Sequence, residues 1–196
     1  FGQHPLLKQL AARSLQVAGV SPSSGFSSWA YPSQAAAEAA IAHCRRQSPE
    51  GQTRLLPING LICLIADATS TPAAKAFWQH TGLGASSRLA AIALGEDTAS
   101  SESAGDAARS RVIQRLARIY GCDVDAVSLH PSGMTALHRA LQLVSALRPS
   151  RPVLQIGFPY VDVLKLPQVV FSGAELLLDD SEAEVSGALE RLQPSA

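Results

Sequence analysis

The sequence has no surplus of charge: 16 Lys and Arg balance 16 Asp and Glu, with a pI of about 7.1. No whole-chain field therefore draws in nucleic acid or an anionic membrane surface. Arg45-Arg46 is too short a basic run to supply one. Cysteine is scarce, and Cys44, Cys63 and Cys122 are odd in number, far apart and in no Cys-x-x-Cys pair. That argues against a disulfide framework and against a zinc site, and a reducing, cytoplasmic setting is the expectation. No apolar run approaches the roughly 20 residues that span a bilayer, and no charged segment followed by an apolar one opens the chain. No carboxylate pair or histidine stands at ligand spacing, so no metal is expected. Internal repeats and heptads are missing too, which removes solenoid and fibrous folds.

What is present is a chain able to bury a sizeable core, with 46% hydrophobic residues and a mean hydropathy of +0.11. It opens on Phe1 and not on Met, which predicts further sequence upstream. Leu6, Leu7, Leu10, Leu15 and Val17 fit one amphipathic helix over 5–17, with Pro5 in its first turn. The Ser-Pro-Ser-Ser-Gly stretch over 21–25 breaks it. Ser33 caps an alanine-rich helix over 34–43, the continuous apolar run over 61–66 reads as a buried strand, and Thr71-Pro72 opens a helix over 73–79. The stretch 96–105 has no apolar periodicity and reads as an exposed loop.

Beyond that loop, helices and strands alternate. Helices are predicted over 106–120, 133–146, 162–166 and 182–192, and strands over 126–129, 152–156 and 174–178. This is the pattern of parallel strands joined by crossover helices. The chain thus divides into a mainly helical N-terminal region, 1–95, and an α/β region, 106–196. In the helix from Gly133, Met134, Leu137, Ala140, Leu141 and Val144 share a face, which predicts that His138 and Arg139 point to the polar side.

The stretch most informative for chemistry runs Ala126-Val127-Ser128-Leu129-His130-Pro131-Ser132-Gly133-Met134-Thr135. A turn that opens a helix offers free amides and the positive end of the helix dipole, which suit an anion. Gly133 lets the backbone approach a phosphate, and the Ser132 and Thr135 hydroxyls can add donors. The alternative at this point is that Ser132 only caps its helix.

This stretch resembles the Ser-Gly-Met-Ala-Ala phosphate turn of the Cys/Met-metabolism family of pyridoxal-phosphate enzymes. The stretch Ile156-Gly157-Phe158-Pro159-Tyr160-Val161-Asp162-Val163-Leu164-Lys165 resembles the fungal cystathionine gamma-synthase version of the segment that bears the ring-stacking tyrosine. A third stretch, Phe77-Trp78-Gln79-His80-Thr81-Gly82-Leu83-Gly84-Ala85-Ser86-Ser87-Arg88, is similar to the segment before the family's large domain. The resemblance is firm over 71–192 and loose over 1–70.

The resemblance implies a three-layer αβα fold, the incomplete large domain of a fold type I pyridoxal-phosphate transferase, behind a helical N-terminal region. It implies pyridoxal 5'-phosphate as cofactor, with its phosphate on Ser132, Gly133 and Met134 and its ring against Tyr160, which would also assist proton transfer. Arg88 would reach the phosphate of a neighbouring subunit, a task its planar fork of donors suits. Ser86 stands where many bacterial relatives carry a tyrosine, which leaves that clamp incomplete.

The implied reaction is gamma-replacement on an O-acylhomoserine with cysteine, in a homo-oligomer, dimer or tetramer. A cystathionine gamma-lyase or an O-acylhomoserine sulfhydrylase shares every motif quoted. Only Lys8, Lys75 and Lys165 are present, none after the family's Ser-x-Thr pattern, so the chain alone is expected to be inactive. Two further alternatives are a non-catalytic paralogue and an α/β module for another phosphorylated ligand. His80, His130 and His138 receive no role.

Overall fold

The computed structural model describes residues 2–21, 24–97 and 102–195. Its first helix, α1 (Pro5–Val17), keeps Pro5 in the first turn, and the His4 ring accepts from the Leu6 amide at 3.3 Å. β1 (Ser27–Tyr31) follows. In α2 (Gln34–Gln47) the Ser33 hydroxyl caps the helix by accepting from the Ala36 amide at 3.3 Å. β2 (Thr53–Ile58) and β3 (Leu61–Ala66) then form a hairpin about Asn59 and Gly60, both at positive φ, 44° and 83°. That is the turn geometry whose twist matches the flanking strands.

These strands form an antiparallel sheet in the order β1-β3-β2. The region expected to be mainly helical therefore holds a three-stranded sheet, of which the sequence reading found only β3. Along β3 the side chains alternate between two cores. Leu64 and Ala66 meet Trp29, Tyr31, α2 and α3 (Thr71–Thr81), while Cys63 and Ile65 meet α1 and α4 (Ser87–Leu94). Because both faces are covered, β3 reads as a continuous apolar run although its pairing is antiparallel. Pro57 is tolerated because β2 lies at the sheet edge.

The loop expected over 96–105 lies partly outside the described residues, and from Glu102 the chain is helical in α5 (Glu102–Tyr120). The strand expected over 126–129 does not form. A 3-10 turn, Val124–Ala126, takes its start, and Val127 is extended (φ −104°, ψ 119°) with no strand pairing it among the described residues. An extended segment without a ladder partner is not a strand.

α6 (Gly133–Leu147), β4 (Val153–Ile156), α7 (Val161–Val170), β5 (Ala174–Leu177) and α8 (Glu182–Leu192) complete the fold. β4 and β5 pair in parallel, with α7 as the crossover. Leu141, Val153 and Leu166 form their core, with Met134, Leu137, Val170 and Phe171 packed around it.

His138 is not on a polar face. It is 6% exposed and its ring lies 6.3 Å from Phe77 and 5.5 Å from Phe171, so the packed side of α6 is rotated toward α3. Ala140, expected in the core, is exposed. The chain is a mixed α/β fold, and no helix among the described residues is long and apolar enough to cross a membrane.

Candidate functional site

α3 ends at Gly82, whose φ of +68° closes the helix in the left-handed conformation. This cap docks on the start of α6. A β-carbon at Gly82 would lie 2.8 Å from Ser132 Oγ, 2.9 Å from the Thr135 amide nitrogen and 3.0 Å from Met134 Cβ. Glycine is therefore required both by backbone conformation and by the closeness of the two helix ends.

The hydroxyls of the α6 turn are engaged within it. Ser132 Oγ accepts from the Thr135 amide at 3.2 Å, and Thr135 Oγ1 donates to the Gly82 carbonyl at 2.8 Å. Ser132 Oγ and Thr135 Oγ1 are 2.9 Å apart, and since the Thr135 proton goes to Gly82, Ser132 is the donor of that pair. Ser132 thus serves as the helix cap. The amides of Gly133 and Met134 precede the first internal hydrogen bond of α6, space beside Gly133 is open, and no acidic residue stands in the first turn. Two donors there have no partner within the helix, and no acidic side chain of the first turn offsets the helix dipole.

Gly82 also lines a cavity of about 260 Å³ with Trp78, Gln79, Gly84, Ala85, Tyr160 and Asp162. That volume is near the lower end of small-molecule sites, roughly 300–1,000 Å³. Trp78 is held in the wall because Gly84 leaves room for it: a β-carbon there would lie 2.4 Å from the indole nitrogen. Trp29 packs on Trp78 from behind, with centroids 5.4 Å apart.

Tyr160 caps the start of α7 and is 60% exposed on the cavity wall. The nearby Asp162 carboxylate, as an acceptor and then as a charge, pushes its phenol above the ordinary value of 10. Asp162 Oδ1 is in turn 3.1 Å from His80 Nδ1.

Of the residues singled out in the sequence, Ser132, Gly133 and Met134 lie at the α6 turn and Tyr160 on the cavity wall, and the Gly82 loop adjoins both. Arg88 is not part of this group; it is exposed on α4 and does not line the cavity. Ser86 caps α4, accepting from the Leu89 amide at 3.3 Å. Sequence reasoning missed Gly82, His80 and Asp162 as site residues. All three stood inside the quoted motifs, but nothing local said that the end of α3 would meet the starts of both α6 and α7.

Residues 6–86 match the family described as fungal trans-sulfuration enzyme, N-terminal domain. That likeness is confined to the N-terminal part of the chain. The match falls mainly on the stretch where the motifs gave only a loose resemblance, and it ends two residues before Arg88, so the Ser132 turn and Tyr160 lie beyond it. The cystathionine gamma-synthase-like enzyme iboG2 of Amanita muscaria (strain Koide BX008) is 39% identical over 59 residues, 30% of this chain and 9% of that relative. The chain therefore spans a small part of the curated relative that it matches. No solved structure matches it.

Proposed function

We propose that the chain is part of a pyridoxal-phosphate enzyme of trans-sulfuration, cystathionine gamma-synthase-like, that carries out gamma-replacement on an O-acylhomoserine with cysteine as sulfur donor. The observation that carries this reading is the Gly82 loop, which packs on the α6 turn and also lines the cavity bearing Tyr160. A ligand with an anionic arm and a flat ring finds amides and an aromatic face within one neighbourhood.

The residues present fit pyridoxal 5'-phosphate in two respects: the Gly133 and Met134 amides stand at the start of α6 with open space beside Gly133, and the Tyr160 ring is exposed on the cavity wall. These two amides, with Ser132 holding the turn in shape, would bind the phosphate. Tyr160 would lie against the ring. When bound, the cofactor supplies an electron sink for the substrate carbon.

Trp78 and Ala85 form part of the cavity wall, and the Asp162 carboxylate favours the protonated form of the Tyr160 phenol. None of Lys8, Lys75 and Lys165 lines the cavity, so this chain is read as binding the cofactor without a covalent anchor of its own. Arg88, exposed on α4, is free to serve a second subunit in a homodimer or tetramer.

The test is saturable binding of pyridoxal phosphate to the chain, followed by the quenching of tryptophan fluorescence, with a Trp29→Phe chain leaving Trp78 as the reporter. Gly133→Val crowds the amides and should weaken binding about tenfold, which is ~1.4 kcal/mol. Equal affinity in Gly133→Val, or no saturable binding at all, would refute the reading.

A further inference from the structure

The peptide unit that joins Gly82 to Leu83 is held at both ends by threonine hydroxyls. Its amide donates to Thr81 Oγ1 at 3.2 Å, and its carbonyl accepts from Thr135 Oγ1 at 2.8 Å. Thr81 Oγ1 donates in turn to the Phe77 carbonyl at 2.7 Å, inside α3, and Ser132 Oγ donates to Thr135 Oγ1 at 2.9 Å. Each hydroxyl has one proton, so all the bonds run the same way: Ser132 to Thr135 to the Gly82 carbonyl, then the Leu83 amide to Thr81 to the Phe77 carbonyl. Thr81 is fully buried and Thr135 is buried, which keeps competing water from both. We propose that Thr81 and Thr135 are positioning residues for the α6 turn: through the Gly82-Leu83 peptide they fix the Ser132 hydroxyl, and with it the backbone that presents the Gly133 and Met134 amides.

A threonine within a helix commonly turns its hydroxyl back on the carbonyl four residues earlier. Thr81 does so, and it also accepts from the Leu83 amide, which ties the left-handed end of α3 to its last turn. Thr135 bonds outward instead, to a carbonyl 53 residues away on another helix end. Bonds joined head to tail polarise one another, so the whole chain holds the turn more firmly than its members would singly. The chain also decides what the turn can offer an anion. The Ser132 proton goes to Thr135 and the Thr135 proton to Gly82, so neither hydroxyl has a donor left, contrary to the expectation that both would add to the phosphate contacts. The Gly133 and Met134 amides carry that role, and the end of α3 sets where they stand.

This inference rests on the reading of the α6 turn as the phosphate site, and its test separates the two. The probes are pyridoxal phosphate and pyridoxal, which lacks the phosphate, and the readout is the ratio of their affinities. The parent chain should favour the phosphorylated probe. Thr135→Val, close in shape but without the hydroxyl, should lower that ratio about fivefold, the effect of one hydrogen bond, and leave pyridoxal binding unchanged. Thr81→Val, remote from the ligand, should lower it in the same direction, and Thr135→Ser should restore it. A merely structural role would weaken both probes alike. Without any ligand, the Thr81 and Thr135 hydroxyl protons of the parent should exchange with water slowly enough to give resonances of their own, a reading that needs no variant to fold. A parent that binds the two probes alike, or neither, would overturn the phosphate reading and this inference with it. A parent that discriminates beside a Thr135→Val or Thr81→Val chain that discriminates equally, a Thr135→Ser chain that does not recover, or hydroxyl protons in free exchange would overturn this inference alone.

Discussion

Two histidines around one phenylalanine show how far burial sets the chemistry of single side chains. Phe77 is fully buried, with the His43 ring 5.3 Å away on one side and the His138 ring 6.3 Å away on another. Burial, helped by the nearby Arg46 charge, lowers His43 from 6.5 to about 4, and its Nδ1 has no hydrogen-bond partner. His138 shifts in the same direction, through burial and then Arg139. Between pH 4 and 6.5 the unfolded chain takes up a proton at position 43 that the folded chain refuses, so stability rises with pH across that window and is complete above it. The shift corresponds to roughly 3 kcal/mol. Denaturant titrations from pH 4 to 7 should show this rise in the parent and a flatter profile in His43→Phe; an identical slope in the variant would contradict the assignment. The buried thiols follow the same rule, with Cys44 pushed up to about 11 and Cys63 raised, both by burial, so neither offers a ready thiolate.

At the scale of the element, the proline inside α7 illustrates how a local rule is overridden. The sequence predicts a helix that stops before Pro167, because proline lacks an amide and leaves the carbonyl four residues earlier unpaired. The helix runs on to Val170, and that carbonyl, of Val163, accepts instead from Gln155 Nε2 on β4 at 2.7 Å. Gln155→Ala should therefore destabilise the chain by about 1–3 kcal/mol, since it strands a half-buried carbonyl. Chemical denaturation is the measure, and a loss within a few tenths of a kcal/mol would show that water satisfies the group.

The same distinction explains what was legible. α1, α6 and α8 follow from periodicity, caps and Pro5, all carried by neighbours in sequence. The β2–β3 hairpin was also written locally, in Asn59-Gly60 between apolar runs, and was overlooked. β1 was not: a five-residue Ser-Ser-Trp-Ala-Tyr strand becomes one only by pairing with β3. The missing strand over 126–129 is the converse case, an extended stretch that found no partner. The Ser132 turn and Tyr160 were readable as motifs, whereas Gly82, His80 and Asp162 gain their meaning only from long-range docking.

For the molecule as a whole, α3 is the hinge piece. It belongs to the stretch matched by the fungal trans-sulfuration family, and it reaches the second half through three contacts of different kinds. Thr135 donates to the Gly82 carbonyl, His80 meets Asp162, and the Phe77 ring touches His138. All three sit on the two helices that frame the proposed site, so the cavity exists only while both halves are docked. The most direct measurement is the amide and aromatic chemical-shift map of the chain as pyridoxal phosphate is added. The account predicts that the Gly133 and Met134 amides and the Tyr160 ring move together along one saturable curve. Shifts that gather elsewhere, or a Tyr160 ring that moves while those amides stay still, would contradict it.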